Sequence, residues 1–305
     1  MINYLFVVNP IAGGKEKSSF YEFIEDEVNQ TGLTYELFNT TGDEDEFKLK
    51  KLVKKLKPEV IVAIGGDGTL HLVARIARKS SAKIGLIPFG SANGMARELG
   101  IPKIPDITIS LIPSELYRDC WKIIREGHVR KIDLVRINKT YYSIHLSDIG
   151  LNAKIVKRFE EERIRGYFGY ARLFMKELKQ KRRISYQIIT NGKRYKGKGY
   201  MIAIANATMY GTGAVINPVG KPDDGMFEIC VIRQIKIATL FRSLLTILNI
   251  NLRKRDDLLK VFSCKKAIIE LKQQETLQVD GEVIGDTRKL ELNIIPQAIN
   301  MITPN

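Results

Sequence analysis

A chain of 305 residues, 44% of them hydrophobic, can bury one large core or two modest ones, and a change of pattern near residue 130 favours two. No stretch reaches the roughly 20 apolar residues that span a bilayer, and the N-terminus lacks the basic lead of a signal peptide, so we expect a cytoplasmic protein. The formal net charge of +15 requires either a role in solubility or an anionic partner, for which nucleic acid and an anionic membrane are the two candidates.

Residues 1–128 alternate short apolar runs with helical periodicity, which predicts an α/β domain built on an open parallel sheet. Strands are predicted at residues 4–8, 35–38, 60–64 and 84–87. The apolar residues of the predicted helices are Phe20, Phe23, Ile24 and Val28; Phe47, Leu52, Val53 and Leu56; Leu70, Val73, Ala74 and Ala77; and Leu116, Cys120, Ile123 and Ile124. In such a sheet the turns after the strands gather at one edge, where ligands bind.

The turn after the third predicted strand has the composition of a phosphate-binding turn, and its residues are Gly65, Gly66, Asp67, Gly68 and Thr69. Glycines let an anion approach backbone N–H groups at a helix start, where the helix dipole adds positive potential. The Asp67 carboxylate would repel a phosphate unless a cation or water lies between them, so we interpret the turn as a nucleotide-phosphate site that also handles Mg²⁺. An ordinary glycine-rich turn is the alternative, since neither the Walker nor the dinucleotide pattern fits.

Two other turns of this domain, at residues 9–15 and 88–93, repeat the arrangement of strand, small residues and helix. Ser91 offers a helix cap and a hydroxyl donor, and Thr40 and Thr41 offer hydroxyls for a phosphate or ribose, although helix capping alone accounts for these two. Lys15 and Arg97 are candidates to neutralise phosphate charge, with surface roles equally open. The candidate nucleotide-binding residues are Asn9, Pro10, Gly13, Lys15, Thr40, Thr41, Gly65, Gly66, Asp67, Gly68, Thr69, Ser91 and Asn93.

From residue 129 the apolar period changes to two, which predicts an all-β domain over residues 129–296. Asn138-Lys139 and Asn191-Gly192 each separate two alternating runs and indicate hairpins. We predict an antiparallel β-sandwich with helical insertions at residues 153–180 and 236–248. Its predicted strands cover residues 131–137, 141–146, 184–190, 195–205, 226–233, 266–272, 275–280 and 290–295.

Basic residues cluster among aromatic ones between residues 154 and 183, and again at Arg253, Lys254 and Arg255. Aromatic side chains mixed with Lys and Arg suit a membrane interface, where apolar groups dip below the headgroups and cations stay above. A solvated helix face over an ordinary core is the alternative. No RNA-module signature accompanies the charge, so we expect peripheral contact with an anionic membrane and no nucleic-acid partner.

Several motifs occur in a fixed order along nearly the whole chain. They are Asn9-Pro10 with Gly13-Gly14-Lys15, the GGDGT turn at residues 65–69, the segment 87–102, Lys131-Ile132-Asp133-Leu134, Asp148-Ile149-Gly150-Leu151, Pro222-Asp223-Asp224-Gly225-Met226 and Val279-Asp280-Gly281-Glu282. In this order the chain resembles the diacylglycerol kinase and sphingosine kinase superfamily, as a soluble bacterial-type lipid kinase. The resemblance implies a first domain like that of NAD kinases and diacylglycerol kinases, a lipid-substrate β-sandwich, a C-terminus (297–305) folded back on the first domain, and ATP and Mg²⁺ as cofactors.

The resemblance also implies roles for acidic residues of both domains. Glu282 is the proton acceptor that the resemblance implies. We also expect a catalytic role for Asp67, and an active site in the cleft between the two domains. A plain Asp-Gly hairpin turn is the alternative for this segment, but it leaves Glu282 unexplained. The side chain of Asp224 and the backbone carbonyls of Lys221 and Met226 are the implied Mg²⁺ ligands, and a turn without metal is the alternative.

The implied activity is an ATP- and Mg²⁺-dependent transfer of the γ-phosphoryl group to a membrane lipid, diacylglycerol first, with a sphingoid base or another lipid alcohol as the alternative. Gly94 stands where diacylglycerol kinases tend to have aspartate, and Leu72 where a glutamate is usual. These departures leave the acceptor open and also allow a catalytically weak regulator that binds nucleotide or lipid. A soluble-substrate kinase of the NAD kinase type fits the basic, apolar insertions poorly. The oligomeric state stays open, with a homodimer as one option.

Overall fold

The structure, a computed structural model, describes residues 3–14, 17–90, 92–102, 114–151, 153–155, 158, 182–209, 215–234 and 258–305. Of the predicted site residues, Lys15 and Ser91 lie outside this set, as do the insertion 236–248 and most of the insertion 153–180. The chain divides into two compact units, unit 1 with Met1–Ile132 and Gln297–Asn305, and unit 2 with Asp133–Pro296.

Unit 1 is built on a parallel sheet of β1 (Tyr4–Val8), β2 (Tyr35–Asn39), β3 (Val60–Gly65) and β4 (Lys83–Pro88). The strand order is β2–β1–β3–β4, and all these neighbours are parallel. Beside β4, Asn300 and Met301 of the C-terminal segment pair in parallel with Lys83 and Ile84. Strand β3 is buried throughout, which explains its unbroken apolar run. The predicted parallel sheet is therefore confirmed.

The described helices of unit 1 are α1 (Ser18–Thr31), α2 (Asp45–Leu56), α3 (Asp67–Ala77), α4 (Gly94–Glu98) and α5 (Ser114–Glu126), with a 3-10 turn at Ala12–Gly14. Phe47 lies on α2, as predicted, but its side chain is 68% exposed. Leu49 and Val53 form the buried face of that helix. Leu52, Val53 and Leu56 follow Leu49 at i+3, i+4 and i+7 and lie on the same helix face. Phe47 is outside this series, so it lies off the apolar face.

Unit 1 has an aromatic core between its sheet and two of its helices. Phe20, Phe89 and Tyr117 are fully buried, and the Tyr117 ring lies 5.7 Å from each of the other two ring centroids. A Cβ at Gly85 of β4 would lie 2.9 Å from the Ile124 side chain, so α5 packs directly on that strand. The turns that follow β3 and β4 therefore extend from strands that are packed firmly against helices.

Unit 2 is antiparallel. Its strands are β5 (His128–Ile137), which begins in unit 1, β6 (Tyr141–Ser143), β7 (Leu146–Gly150), β8 (Ile184–Thr190), β9 (Lys193–Gly199), β10 (Met201–Ala205), β11 (Phe227–Ile232), β12 (Leu259–Cys264), β13 (Lys266–Val279) and β14 (Glu282–Thr303), which ends in unit 1. The order β12–β11–β10–β7–β13–β14 forms one path, β8 and β9 extend from β13, and β5 and β6 extend from β14.

Strand β13 joins the two layers of the sandwich. Its first half pairs with β8, as in Ile269 opposite Ile188, and its second half pairs with β7, as in Gln278 opposite Asp148. Its pairing with β14 shifts register after Glu270, so the predicted strands 266–272 and 275–280 are one bulged strand. Apolar side chains from both layers enclose a common core that includes Ile149, Ile188, Ile204, Phe227, Ile269, Val279 and Leu290. The predicted β-sandwich is confirmed.

The predicted hairpin turns of unit 2 are also present. Asn138, Lys139, Asn191 and Gly192 all have positive φ, as a two-residue hairpin turn requires. The predicted strand 141–146 is wrong in its extent, because it divides into β6 and β7. The backbone N–H groups at this break donate to a side chain in a hairpin turn, described below.

Candidate active site

The turn between β3 and α3 depends on two glycines. A Cβ at Gly65 would clash with the Thr69 side chain, which folds back over the turn. Gly66 is the N-cap of α3 in extended conformation, and Asp67 is its first helical residue. The helix therefore begins within the predicted turn. Gly68 is exposed and has open space where a Cβ would lie.

The turn between β4 and α4 is closed by a buried amide side chain. Asn93 has φ +50° and is buried, and its Oδ1 accepts the Gly90 N–H at 2.9 Å while its Nδ2 donates to the Gly90 carbonyl. Left-handed backbone at a non-glycine residue is tolerated best by Asn, which hydrogen-bonds locally. The Asn93 side chain therefore fixes the shape of this turn.

The two glycine turns lie against each other. A Cβ at Gly90 would lie 2.5 Å from the Gly66 Cα, and a Cβ at Gly66 would lie 3.1 Å from the Gly90 Cα. Asp67 links the turns as well, because its Oδ2 accepts the Gly94 N–H at 3.1 Å and its Oδ1 the Met95 N–H at 3.3 Å. The structure thus brings Gly65, Gly66, Asp67, Gly68, Thr69 and Asn93 together. Sequence reasoning missed that the Asp67 carboxylate is bound by backbone donors of the next helix.

The loop after β1 lies beside β3. The Asn9 N–H donates to the Ile64 carbonyl at 2.9 Å, and the Asn9 Oδ1 accepts the Ile11 N–H at 3.2 Å. Gly13 has φ +66°, and both Gly13 and Pro10 are exposed. Asn9 therefore holds the loop as a turn.

Lys17 is a residue that sequence reasoning missed. It is only 3% exposed, its Nζ donates to the Ala12 carbonyl at 2.8 Å, and it lies 4.4 Å from the Phe89 ring centroid. The cation thus braces the first loop from inside the unit. Nothing in the local pattern marks this lysine as buried, because the ring over it comes from a residue distant in the chain.

Thr40 and Thr41 lie at the loop before α2. The Thr40 N–H donates to the Val8 carbonyl at 2.8 Å, and the Thr41 hydroxyl and N–H donate to the Asp45 carboxylate at 3.2 and 3.0 Å. Partial burial raises the pKa of Asp45, but the Thr41 and Gly42 donors outweigh it, so that pKa lies below its ordinary value. The Thr41 hydroxyl therefore bonds to the Asp45 side chain and does not cap the helix, because the N-cap residue of α2 is Glu44 and no side chain makes a cap hydrogen bond there.

In unit 2, a two-residue turn of Asp280 and Gly281 connects β13 and β14. Asp280 has φ +47° and Gly281 +96°, which matches the hairpin signal. The buried Asp280 carboxylate accepts N–H groups of Ile144 at 2.7 Å, His145 at 3.0 Å and Leu146 at 2.9 Å. It also accepts the Ser143 hydroxyl at 2.8 Å. These contacts explain the break between β6 and β7.

Glu282 is the first residue of β14 and is exposed. Its backbone pairs with Val279 across the turn. The backbone angles of the turn need only Asp280 and Gly281, so the Glu282 side chain has no part in closing it. An exposed carboxylate at the end of a rigid turn can accept a proton from a bound alcohol.

The acidic loop before β11 is held by hydrogen bonds to the buried residue Asp133. The Asp133 Oδ2 accepts the Gly225 N–H at 2.6 Å, and the Asp133 N–H donates to the Pro222 carbonyl at 2.8 Å. The exposed Asp224 accepts the Met226 N–H at 2.9 Å through Oδ1. Sequence reasoning used the segment containing Asp133 only as a motif, and this contact gives it a structural role.

The oxygen donors of this loop suit Mg²⁺, which prefers carboxylate and carbonyl ligands. Within the described ranges, no group of three or more His, Cys, Asp or Glu side chains could hold a metal ion. A cation here would therefore use the Asp224 carboxylate with backbone carbonyls, the donor set expected from the sequence at Lys221 and Met226.

Near this loop, Glu228 is buried and accepts the Asn217 amide at 2.7 Å and the Ser263 hydroxyl at 2.9 Å. Burial raises its pKa above the ordinary value, against the lowering effect of those two donors. Glu228 lies inside an apolar strand, so the sequence pattern does not mark it as a supporting residue.

The positive charge is unevenly distributed. Unit 1 carries 19 Lys and Arg against 17 Asp and Glu, a net +2, whereas unit 2 carries 30 against 17, a net +13. Arg194, Lys196 and Lys198 alternate along β9 and are all exposed, so they form a row on one side of the strand at a spacing of roughly 7 Å. None of the three has an ion-pair partner among the described residues.

None of the helices described is long and apolar enough to cross a membrane.

Comparison with known proteins defines the class to which this fold belongs. Residues 3–137 match the diacylglycerol kinase catalytic domain, and residues 147–303 match the YegS C-terminal NAD kinase beta sandwich-like domain. The chain belongs to the diacylglycerol kinase family of YegS-type lipid kinases.

Individual relatives agree with this family. The chain is 28% identical over 253 residues to curated proteins named diacylglycerol kinase from Staphylococcus aureus strains RF122 / ET3-1 and Newman, covering 81% of this chain and 75% of theirs. A crystal structure of a Bacillus anthracis str. Sterne diacylglycerol kinase superposes with a TM-score of 0.72 at 19% identity, covering 99% of this chain and 96% of that one. At that identity the superposition shows the shared fold. The predicted resemblance and the assignment as a lipid kinase are confirmed.

Proposed function

We propose that this lipid kinase transfers the γ-phosphoryl group of ATP, in the presence of Mg²⁺, to the free hydroxyl of diacylglycerol, producing phosphatidic acid. The acceptor is supported by the name that the Staphylococcus aureus relatives carry over most of this chain. A sphingoid base or another lipid alcohol is the alternative acceptor. The observation that carries the nucleotide part is the close contact of the Gly66 and Gly90 turns, which leaves a surface of backbone without side chains.

In this proposal the residues of unit 1 bind and orient the nucleotide. Gly65, Gly66 and Gly68 let phosphate oxygens approach the N–H groups at the start of α3. Asp67 keeps the second turn in register through the Gly94 and Met95 N–H groups. When Mg²⁺ is bound with the nucleotide it neutralises charge on the phosphates.

Glu282 is proposed to accept the proton of the lipid hydroxyl. As the new bond from the hydroxyl oxygen to the γ-phosphorus forms, the bond from that phosphorus to the β,γ-bridging oxygen breaks, and the hydroxyl proton passes to the carboxylate. The turn before Glu282 supports this role, because a general base must be held at a constant distance from the hydroxyl group that it deprotonates.

Asp224, with the carbonyls of Lys221 and Met226, is proposed to hold a second Mg²⁺ that keeps the acidic loop folded. Replacement of Asp224 by asparagine keeps the shape of the side chain and removes its charge. The stabilisation of the wild-type protein by added Mg²⁺, measured as a rise in melting temperature, should shrink in this variant. An equal rise in both proteins would contradict the assignment.

We propose that the kinase works while peripherally attached to an anionic membrane. The concentration of net charge in unit 2 and the row Arg194, Lys196 and Lys198 support this, because basic residues near an anionic surface are each attracted by about 1 kcal/mol.

The function is tested with γ-labelled ATP, Mg²⁺ and a mixed lipid extract. Label that moves into the organic phase and co-migrates with phosphatidic acid supports the proposal, and label in a phosphorylated sphingoid base selects the alternative acceptor. Absence of label from every lipid, despite measured ATP binding, would favour a regulator. The departure at Gly94 gives that outcome little support, because this residue contacts Asp67 through its backbone N–H.

A further inference from the structure

Gln278 is a buried amide near the end of β13, two residues before the hairpin turn. Its side chain is 2% exposed, its Oε1 accepts the Gly281 N–H at 2.6 Å, and its Nε2 donates to the Asp148 Oδ2 at 2.6 Å. A primary amide has an acceptor at one end and donors at the other, so the two neighbours together fix its orientation. Gln278 therefore connects a carboxylate on β7 to the backbone of the hairpin turn.

The hairpin turn is held from two directions. The Asp280 carboxylate is anchored by backbone N–H groups of residues 144–146, and the Gly281 N–H is anchored by Gln278. The next residue is Glu282, whose side chain is exposed. The direction in which the Glu282 side chain leaves the strand is thus set by the position of the Gly281 peptide.

This buried polar pair is costly if it serves only stability. Asp148 is 0% exposed, and burying a carboxylate and an amide costs free energy that hydrogen bonds only offset. Apolar residues of similar volume would fill the same space, as they do elsewhere along β7 and β13 at Ile149 and Leu277. What the polar pair supplies, and an apolar pair does not, is a fixed acceptor for the Gly281 N–H.

We infer that Gln278 is a positioning residue for Glu282, and that Asp148 orients the Gln278 amide. The inference rests on the proposed role of Glu282 as proton acceptor. Gln278 touches neither substrate in this scheme, and it acts through the Gly281 peptide.

The first test is Gln278→Leu, assayed for kcat and for KM of ATP on diacylglycerol vesicles. Displacement of a base by about 1 Å lowers turnover by up to about 100-fold, so we expect kcat to fall by about 10- to 100-fold with an unchanged KM for ATP. In a Glu282→Gln background the same substitution should lower the residual rate no further. A further fall in that background would show a role independent of Glu282 and would overturn the inference.

The second test exchanges the two side-chain types. Gln278→Glu alone places two carboxylates in contact and should lower kcat. Combined with Asp148→Asn it restores one amide and one carboxylate, with the new carboxylate at position 278 accepting from the amide on one side and from the Gly281 N–H on the other. The double variant should recover kcat to within about threefold of the wild type, since both hydrogen bonds re-form. If the double variant has a wild-type melting temperature but does not recover kcat, Gln278 does not position Glu282 in the way inferred.

Gln187→Leu is the matched control. Its Nε2 donates to the Glu270 Oε2 at 2.7 Å, the same kind of contact on strands away from the hairpin, and its loss should leave kcat unchanged. Glu282→Gln distinguishes failure of the proposed base from failure of the inference. If that variant turns over normally, both fall together; if it is inactive while Gln278→Leu keeps wild-type kcat, only the inference falls.

Discussion

The glycine turns of unit 1 and the acidic hairpin of unit 2 reach a fixed geometry by opposite means. Gly66 and Gly90 approach each other because neither has a side chain. The hairpin is instead fixed by side chains, since Asp280 and Gln278 each accept backbone N–H groups. The first site therefore depends on the absence of side chains at Gly66 and Gly90, whereas the second depends on the polar side chains of Asp280 and Gln278.

The units also differ in charge, with a net +2 in unit 1 and +13 in unit 2. In the proposed function the first unit handles a polyanionic nucleotide mainly through its backbone, and the second handles an anionic membrane through its side chains. Substitutions in the two units should therefore affect different measurements.

The largest expected effect is that of Glu282→Gln. It removes the proposed proton acceptor and should lower kcat by about 10³-fold, within the range that general bases contribute. Its exposed position predicts unchanged folding and unchanged ATP binding, measured by thermal melting and by calorimetry. A variant with wild-type turnover would remove Glu282 from the mechanism.

Asp280→Ala should destabilise unit 2. The substitution leaves the N–H groups of Ile144, His145 and Leu146 without their acceptor, so we expect a loss of about 3 kcal/mol in the free energy of unfolding. Urea denaturation measures it. The control is Asp286→Ala, an exposed carboxylate of β14 with one hydrogen bond from Thr276, for which we expect less than about 1 kcal/mol. Equal losses would contradict the anchoring role of Asp280.

Replacement of Arg194, Lys196 and Lys198 by glutamine should weaken binding to vesicles that contain anionic lipid. At about fivefold for each charge, the expected loss is about 100-fold in the partition coefficient, measured by flotation at physiological salt. The control removes the same charge from exposed positions of α2, with Lys50, Lys51 and Lys54 replaced by glutamine. If both triple variants bind equally, net charge alone drives attachment and the β9 row has no special part.

Gly90→Ala probes the contact between the glycine turns. Its new Cβ would lie 2.5 Å from the Gly66 Cα and 2.7 Å from the Asn93 Oδ1, so the turns must separate at a cost of about 2 kcal/mol. Gly68→Ala adds the same atom in the adjacent turn, where nothing lies within 4 Å, and should leave the melting temperature unchanged or slightly higher. Equal melting temperatures for the two variants would contradict the close contact between the glycine turns.

Much of the fold could be predicted from local patterns. The buried run before Gly65 and the two-residue turn at Asn191-Gly192 carry their structure in neighbouring residues, because a turn needs particular backbone angles. Phe47 is correctly placed on a helix by its neighbours, but its exposure follows only from its position outside the helical series that Leu49 begins. The single strand β13 is divided in two by the sequence pattern, because a bulge interrupts the alternation on which strand prediction depends.

The contacts within the candidate sites could not be predicted, for a different reason. Gln278 and Asp148 lie 130 positions apart, and alternation alone does not identify a polar residue that faces inward. Lys17 resembles any surface lysine until the fold brings Phe89 over it. The glycine turns could be predicted because neighbouring residues in the sequence define them. The contacts of Gln278 and Lys17 could not, because their partners are distant in the sequence.

The most direct test of the account is transfer of label from γ-labelled ATP to lipid, with Mg²⁺, comparing the wild-type protein with Glu282→Gln on vesicles of diacylglycerol and anionic phospholipid. The account predicts labelled phosphatidic acid from the wild type, and at least about 100-fold less from the variant at equal ATP binding. Equal label from both proteins would contradict the assignment of Glu282, and no labelled lipid from a wild-type protein that binds ATP would contradict the proposed reaction.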